Sequence, residues 1–188
     1  MRRSIEERPP CVEKREVFGH WERDLVIGRG QHSQLLTMVE RKSRLVLIEK
    51  VKSKKPADVN KATKQRLKDY VCRTITNDNG FEFGMAEILE TQLSAKIYFA
   101  HPYSSWERGT NEQVNGVIRE YLPKGTDFTD VGPSEIKAIE DAINLRPRKT
   151  LGYRTPYEVF FNKQEKLISE IWVNPDSLSE VSSVALYA

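Results

Sequence analysis

The sequence is poor in the residues that build covalently or metal-braced folds: its 188 residues include two cysteines, Cys11 and Cys72, and three histidines. With no Cys-x-x-Cys pair and no Cys/His cluster at finger spacing, neither a disulfide framework nor a structural zinc site is expected. Both cysteines read as free thiols, and His20, His32 and His101, each standing alone, read as hydrogen-bonded structural residues. Long apolar runs are missing too. Nothing approaches the roughly 18 consecutive apolar residues of a membrane helix, and Met1-Arg2-Arg3-Ser4-Ile5-Glu6-Glu7 lacks the apolar h-region of a secretory signal. A cytoplasmic protein with no membrane partner is expected. No internal repeat or low-complexity tract is visible, which sets aside repeat architectures.

What remains is the composition of one folded domain, since 38% of the residues are hydrophobic and 30% charged, too apolar for a disordered chain. The net charge of +3 is small, but it is unevenly spread. Between Arg41 and Lys68, eleven Lys and Arg residues face only Glu49 and Asp58. Such a block has the electrostatic character of a polyanion-binding surface, because each cation that meets a phosphate releases condensed counterions. A solvated helix and loop would read the same way on charge alone.

Hydrophobic periodicity gives the order of elements. Residues 1–16, with Pro9-Pro10 and many charges, read as a flexible lead-in. Gly19 to Ile27, Leu35 to Glu40 and Leu45 to Val51 are strand-like and closely connected, which predicts an antiparallel meander. Ala57 to Tyr70 has helical spacing, followed by a short strand at Thr74-Ile75-Thr76, a helix over Met85 to Leu93 and a strand over Ala95 to Ala100. That alternation implies crossover connections and parallel pairing. Helices over Asn111 to Tyr121 and Ser134 to Leu145 close the domain, and another begins at Thr155-Pro156. The predicted fold is α/β, with a mixed five-stranded sheet, three strands antiparallel and two parallel, flanked by helices.

Three acidic residues stand where an element meets a loop. Asp78 ends a strand in Thr76-Asn77-Asp78-Asn79-Gly80, and strand C-termini of open α/β sheets face the ligand crevice; an Asx turn would use the same residues. Asp24 lies in an apolar run, where an unpartnered buried carboxylate would be costly. Period-two geometry puts it on one face with His20 and Glu22, opposite Trp21, Arg23 and Leu25, so an acidic, hydrophilic face is expected there. Glu112 shares a helix face with Asn115 and Arg119. Brought together, two aspartates and a glutamate suit Mg²⁺ or Mn²⁺, hard ions that take carboxylate oxygen. A pair of such ions serves in-line displacement at phosphorus.

These residues sit in longer strings. Gly19-His20-Trp21-Glu22-Arg23-Asp24-Leu25-Val26-Ile27-Gly28, Thr37-Met38-Val39-Glu40-Arg41-Lys42-Ser43-Arg44, Asp78-Asn79-Gly80-Phe81-Glu82-Phe83 and Trp106-Glu107-Arg108-Gly109-Thr110-Asn111-Glu112 occur in that order. Tyr121-Leu122-Pro123-Lys124-Gly125 and Asn144-Leu145-Arg146-Pro147-Arg148-Lys149 follow. Together, over about residues 17–162, they resemble the DDE transposases and retroviral-type integrases with a ribonuclease-H-like catalytic core, and within them the insertion-sequence-thirty family of bacterial transposases.

The resemblance implies catalytic, metal-holding acids at Asp24, Asp78 and Glu112, with Glu112 following Asp78 by 34 positions (112 − 78) and Glu107 as the rival glutamate. It implies a polynucleotidyl transferase and endonuclease using two Mg²⁺ or Mn²⁺ ions, cutting DNA and joining strands during transposition in the bacterial nucleoid. Its partners would be element ends, target DNA and further copies of itself in a synaptic assembly. Arg119, Lys124, Arg146, Arg148, Lys149 and Tyr103 are the expected DNA contacts, and Trp106 is either a base-stacking or a core residue. A non-catalytic DNA-binding remnant and a ribonuclease-H-type nuclease are the alternatives. The chain departs from the family pattern at Arg23, where a small residue is usual, and at Asn77. Residues 163–188 form a tail of unassigned role, and no helix-turn-helix region is read ahead of Val17.

Overall fold

The computed structural model describes residues 2–31, 33–102, 104, 107 and 109–162. Strand β1 (His20–Ile27) lies at the centre of a five-stranded sheet, between β2 (Gln34–Glu40) and β4 (Thr74–Asn77), with β3 (Val46–Val51) and β5 (Lys96–Phe99) at the edges. The meander β1–β2–β3 is antiparallel, and β4 and β5 run parallel to β1, as the alternation of elements predicts. Both faces of the sheet are covered, so side chains of either parity in β1 are removed from water.

Trp21, Leu25, Leu36, Met38, Leu47, Ile75 and Ile97 pack on one face against α2 (Pro56–Leu67) and α3 (Ala86–Leu93). Phe160, within the helical residues 156–162, joins this layer. Val26, Leu35, Val39, Val46 and Ile48 pack on the other face against α4 (Gly109–Tyr121) and α5 (Pro133–Asn144). Two carboxamide and carboxylate side chains pin α5 to the edge strand, because Asn144 Oδ1 accepts from Val46 N at 2.8 Å and Glu140 Oε2 from Ile48 N at 2.7 Å. Those backbone donors would otherwise be unpaired on the edge.

The stretch expected to be a flexible lead-in is packed on the domain. Residues 2–16 carry a 3₁₀ turn (Ile5–Glu7) with a capping box from Ser4 and the short helix α1 (Pro10–Lys14), in which Pro10 occupies the first turn. Ser4 bridges to Phe99 at the β5 edge, Phe99 N donates to Arg3 O at 2.9 Å, and Val12 is fully buried. The pair of prolines that reads as a breaker instead starts a helix.

Candidate active site

The pairing of β1 with β4 frames the positions of the two aspartates. His20, Trp21 and Glu22 pair with Thr74, Ile75 and Thr76. Beyond the last paired residues, Glu22 and Thr76, Asp24 is still within β1, whereas Asp78 directly follows the end of β4 at Asn77. The alternation also fixes the face of Asp24. Asn77 points with Arg23 to the α2 side and Asp24, bonded to Asn115, to the α4 side, while Asp78 lies in the loop past the strand, near enough to Arg23 to act on its charge.

Helix α4 is laid along β1 by three contacts: Asn111 N donates to Glu22 Oε2 at 3.3 Å, Asn115 Nδ2 to Asp24 Oδ2 at 2.8 Å, and Arg119 Nη2 to Ile27 O at 2.7 Å. Asn115 also accepts from Thr37 Oγ1 at 3.2 Å, so its amide is held on both sides as it orients Asp24. Glu112, one turn before Asn115, is exposed on the same helix face. As the side chains lie, no three His, Cys, Asp or Glu among the described residues stand close enough together to hold a metal ion. Asp24 is turned to Asn115 of α4, and Asp78 into its own loop.

The Asp78 loop is gripped at several points. Asp78 Oδ1 accepts from Gly80 N at 2.8 Å, closing an Asx turn. A Cβ at Gly80 would stand 2.6 Å from the Glu82 carboxylate and 2.8 Å from Asp78 Oδ1, so a larger residue there would displace these carboxylates. From outside, Arg2 donates to Asn79 O at 2.6 Å and Gly80 O at 3.0 Å. From inside, Arg23 Nε donates to Asn77 Oδ1 at 2.6 Å, and its Nη1 to Asn60 Oδ1 at 3.0 Å and Thr63 Oγ1 at 2.9 Å. The same guanidinium lies 4.8 Å from the centre of the Phe83 ring. Asn60 in turn donates to Gly84 O at 3.0 Å, so one buried network ties down both ends of the loop. Thus the two departures from the family pattern, Arg23 and Asn77, are bonded to each other. Burial pushes the Arg23 guanidinium down to about 9, against the opposing influence of Cys72 and Asp78.

The expected acidic, hydrophilic face is only partly realised. Glu22 is fully buried and forms an ion pair with Arg41, which is itself 2% exposed. His20 is buried with its Nδ1 2.8 Å from Thr74 Oγ1, and burial, then the positive Arg73, Arg41 and Arg8, push its ring down to about 4. Of the three, Asp24 alone is partly open. Glu107, the rival glutamate, accepts from His101 N and His101 Nδ1, both at 2.8 Å. Burial opposes ionisation there, yet the bonds to His101 hold its carboxyl below the ordinary range.

The basic residues separate into working groups that charge counting does not distinguish. Arg41, Arg44 and Arg66 are internal struts, donating to Glu22, Thr110 and Glu140. Lys61 and Lys64 on α2, and Lys68 just after it, are exposed across the sheet from α4. Arg119 braces α4, reaching Ile27 O and lying 5.5 Å from the centre of the Phe128 ring. Lys124 and Lys149 are exposed, Arg146 pairs with Glu120 at 3.3 Å, and half-buried Arg148 donates to Ile143 O at 3.3 Å. Arg148 shares a small cleft with Arg44, Thr110 and Gln113, which places it near the α4 N-terminus, whereas Lys124 follows the C-terminus. Tyr103, Trp106, His32 and residues 163–188 lie outside the described residues.

This architecture is the ribonuclease-H-like fold of integrase catalytic cores. The catalytic core domain of BIV integrase superposes with a TM-score of 0.62 at 19% identity, covering 80% of this chain and 98% of that one. Sequence relatives narrow the class. The transposase for insertion sequence element IS4351 of Bacteroides fragilis is 46% identical over 158 residues, 83% of this chain and 48% of the relative. Transposase InsI for insertion sequence element IS30A of Escherichia coli K12 is 37% identical over 158 residues, 82% of this chain and 41% of the relative. No protein-family model matches. Over most of its length the chain is similar to insertion-sequence transposases, that of IS30A among them, and it spans about half the length of the curated relatives it matches. Among the described residues, no helix is long and apolar enough to cross a membrane.

Proposed function

We propose that this chain is the catalytic core of a transposase, cutting DNA strands and joining them to a target with Asp24, Asp78 and Glu112 as its acids. The observation that supports the reading is the neighbouring of β1 and β4, with Asp24 on the one, bonded to Asn115 of α4, and Asp78 directly after the other. The donor set is all carboxylate oxygen, which fits Mg²⁺ or Mn²⁺ and suits softer metals poorly. Bound between such carboxylates, divalent ions supply Lewis-acid activation of an attacking oxygen and stabilisation of a leaving one.

The residues have separable tasks. Asn115 fixes one Asp24 oxygen and leaves the other directed along the strand, where it accepts from Leu25 N at 3.0 Å. Glu112, exposed and one turn away, closes the set by rotating toward the aspartates. In the first step water attacks phosphorus and the phosphorus–O3′ bond breaks, leaving a 3′-hydroxyl and a 5′-phosphate. In the second, that 3′-oxygen attacks a target phosphodiester and displaces its 3′-oxygen, so no bond to the protein forms. Helix α4 has 13 residues, about 20 Å of length. Lys124 just past its C-terminal end, Arg146 paired with Glu120 in its last turn, and Arg148 and Lys149 alongside it would meet DNA phosphates, contacts that position DNA without reading its sequence. Element ends and target are the DNA partners, and the acting form is a homo-oligomer that pairs two ends.

One observation favours a rival, a core that binds DNA without cutting it: the carboxylates are not gathered as they lie. Nicking of a labelled duplex in Mg²⁺ or Mn²⁺, with Asp78→Asn in parallel, separates the two. Metal-dependent nicking that the substitution abolishes is expected. Binding without nicking by either protein supports the rival.

A further inference from the structure

We propose that the loops beyond the carboxylates form a basic rim that binds duplex DNA phosphates and sets how the duplex lies across the acids, an inference that rests on the reading of this site as one acting on DNA. Strands β4 and β5 stop at the level of Asp24, but β1, β2 and β3 continue together. Ile27 pairs with Gln34, and Gln34 with Val51, so three strand ends lie at one level. That level is three residues past Asp24, about 10 Å along the strand.

Three loops meet there, and hydrogen bonds tie them into one surface. Arg29 N in the β1–β2 loop donates to Thr126 O in the α4–α5 loop at 2.9 Å, and Lys54 Nζ in the β3–α2 loop donates to Gln31 Oε1 at 2.9 Å. Ser33 joins the first two loops again, donating to Asp127 Oδ1 at 2.9 Å while accepting from Phe128 N at 2.9 Å. On this surface Arg29, Lys52, Lys55 and Lys124 are exposed, and none has a carboxylate within 4.0 Å among the described residues. The acids here are mostly occupied: Asp58 accepts from Ser53 at 2.5 Å and Asp127 from Ser33, while Asp130 is exposed. Four unpaired cations on one rim repel one another and cost stability, which a polyanion relieves.

The rim also differs from the other lysine-rich surface. Lys61 and Lys64 on α2 and Lys68 just after it lie away from the rim, and with exposed Lys96 of β5 they provide an internal control of equal charge. A duplex that touches the rim lies with its backbone entering the step where β4 ends, so the scissile phosphate is presented to Asp24 and Asp78.

The test compares the full chain with two four-residue variants, each losing four positive charges. The rim variant carries Arg29→Gln, Lys52→Gln, Lys55→Gln and Lys124→Gln. The control carries Lys61→Gln, Lys64→Gln, Lys68→Gln and Lys96→Gln. Binding of a fluorescent duplex is measured by anisotropy without divalent metal at 50–200 mM salt, with circular dichroism confirming the fold of each protein. Each lost phosphate contact lowers the slope of log affinity against log salt by about 0.9. Four contacts therefore remove up to about 3.6 units, so that roughly 100-fold of the wild-type salt sensitivity across that range disappears in the rim variant. The control retains most of the slope. Equal losses in the two variants, or an unchanged slope in the rim variant, overturn the proposal. If the rim variant keeps its slope while Asp78→Asn abolishes wild-type nicking, the rim fails and the catalytic reading stands. Wild type that neither binds nor nicks overturns both.

Discussion

Removing Arg41 while leaving Glu22 in place should be the most damaging single change near the site that touches no proposed catalytic group. Glu22 is fully buried and Arg41 2% exposed, and the two form an ion pair on the α4 side of β1. Arg41 also donates to Val12 O at 3.1 Å and to Glu13 at 3.1 Å, holding α1 to the sheet. In Arg41→Met, the Glu22 carboxylate keeps one hydrogen bond among the described residues, from Asn111 N at 3.3 Å, with Arg8 and Arg44 acting on it at longer range. Stranding a buried charge in this way costs about 3–5 kcal/mol, against a total of roughly 5–15 kcal/mol for a typical domain. For a domain of this size that is a fall in Tm of roughly 6–20 °C. Glu22→Gln should cost less, about 1–3 kcal/mol, because Arg41 retains Glu13 and Val12. The double variant should cost less than the sum of the single ones by about 0.5–3 kcal/mol, the coupling expected of direct partners. Urea denaturation of the four proteins measures all three quantities. An Arg41→Met variant within about 1 kcal/mol of wild type, or strict additivity, would refute the buried pair.

Further expectations concern the site and its surroundings. Asn115→Ala should leave the circular dichroism unchanged but lower metal-dependent nicking about 10- to 100-fold, as is usual when the group orienting a metal-holding side chain is lost; nicking within twofold of wild type would show that Asp24 needs no such support. The depressed pKa of His20, about 4, gives the folded state fewer bound protons than the unfolded one between that value and the ordinary 6.5. Stability therefore falls as pH drops through this window, by at most about 3 kcal/mol from this residue. Denaturation of wild type and His20→Gln from pH 7.5 to 4 checks it, since equal acid limbs in the two proteins would contradict the assignment. Burial pushes the Cys72 thiol up to about 12, so at pH 8 Cys72 should react with a thiol reagent far more slowly than a free cysteine. Rapid modification of two equivalents per native chain would oppose that.

The sheet was legible because its strands obey simple alternation, and the meander followed by crossovers leaves one plausible mixed arrangement. The strand ends differ by a residue or so, with β3 beginning at Val46 where Leu45 was expected. The N-terminal stretch was not legible, since nothing local stabilises it. Val12 is buried only because Arg41 and the sheet are there, and Arg2 finds acceptors in a loop 77 positions away. The buried network around Arg23 had a readable signal. Arg23 shares parity with Trp21 and Leu25, so it faces a core layer and needs polar partners inside it. What one sequence does not provide is which partners: Asn60, Thr63 and Asn77 come from two other elements. Glu22 taught the complementary lesson, because a polar residue on the face of a candidate site is a structural ion pair when the strand is central and covered on both sides.

The central claim is that Asp24, on β1, and Asp78, directly after neighbouring β4, hold divalent metal together with Glu112. Crystals soaked in Mn²⁺ and measured for anomalous scattering test it directly. The account predicts a peak bridging Asp24 and Asp78 on the α4 side, with carboxylate oxygens about 2.0–2.3 Å away and Glu112 turned toward it, and loss of that peak in Asp78→Asn. Mn²⁺ bound elsewhere, or a peak that survives the substitution unchanged, would contradict it.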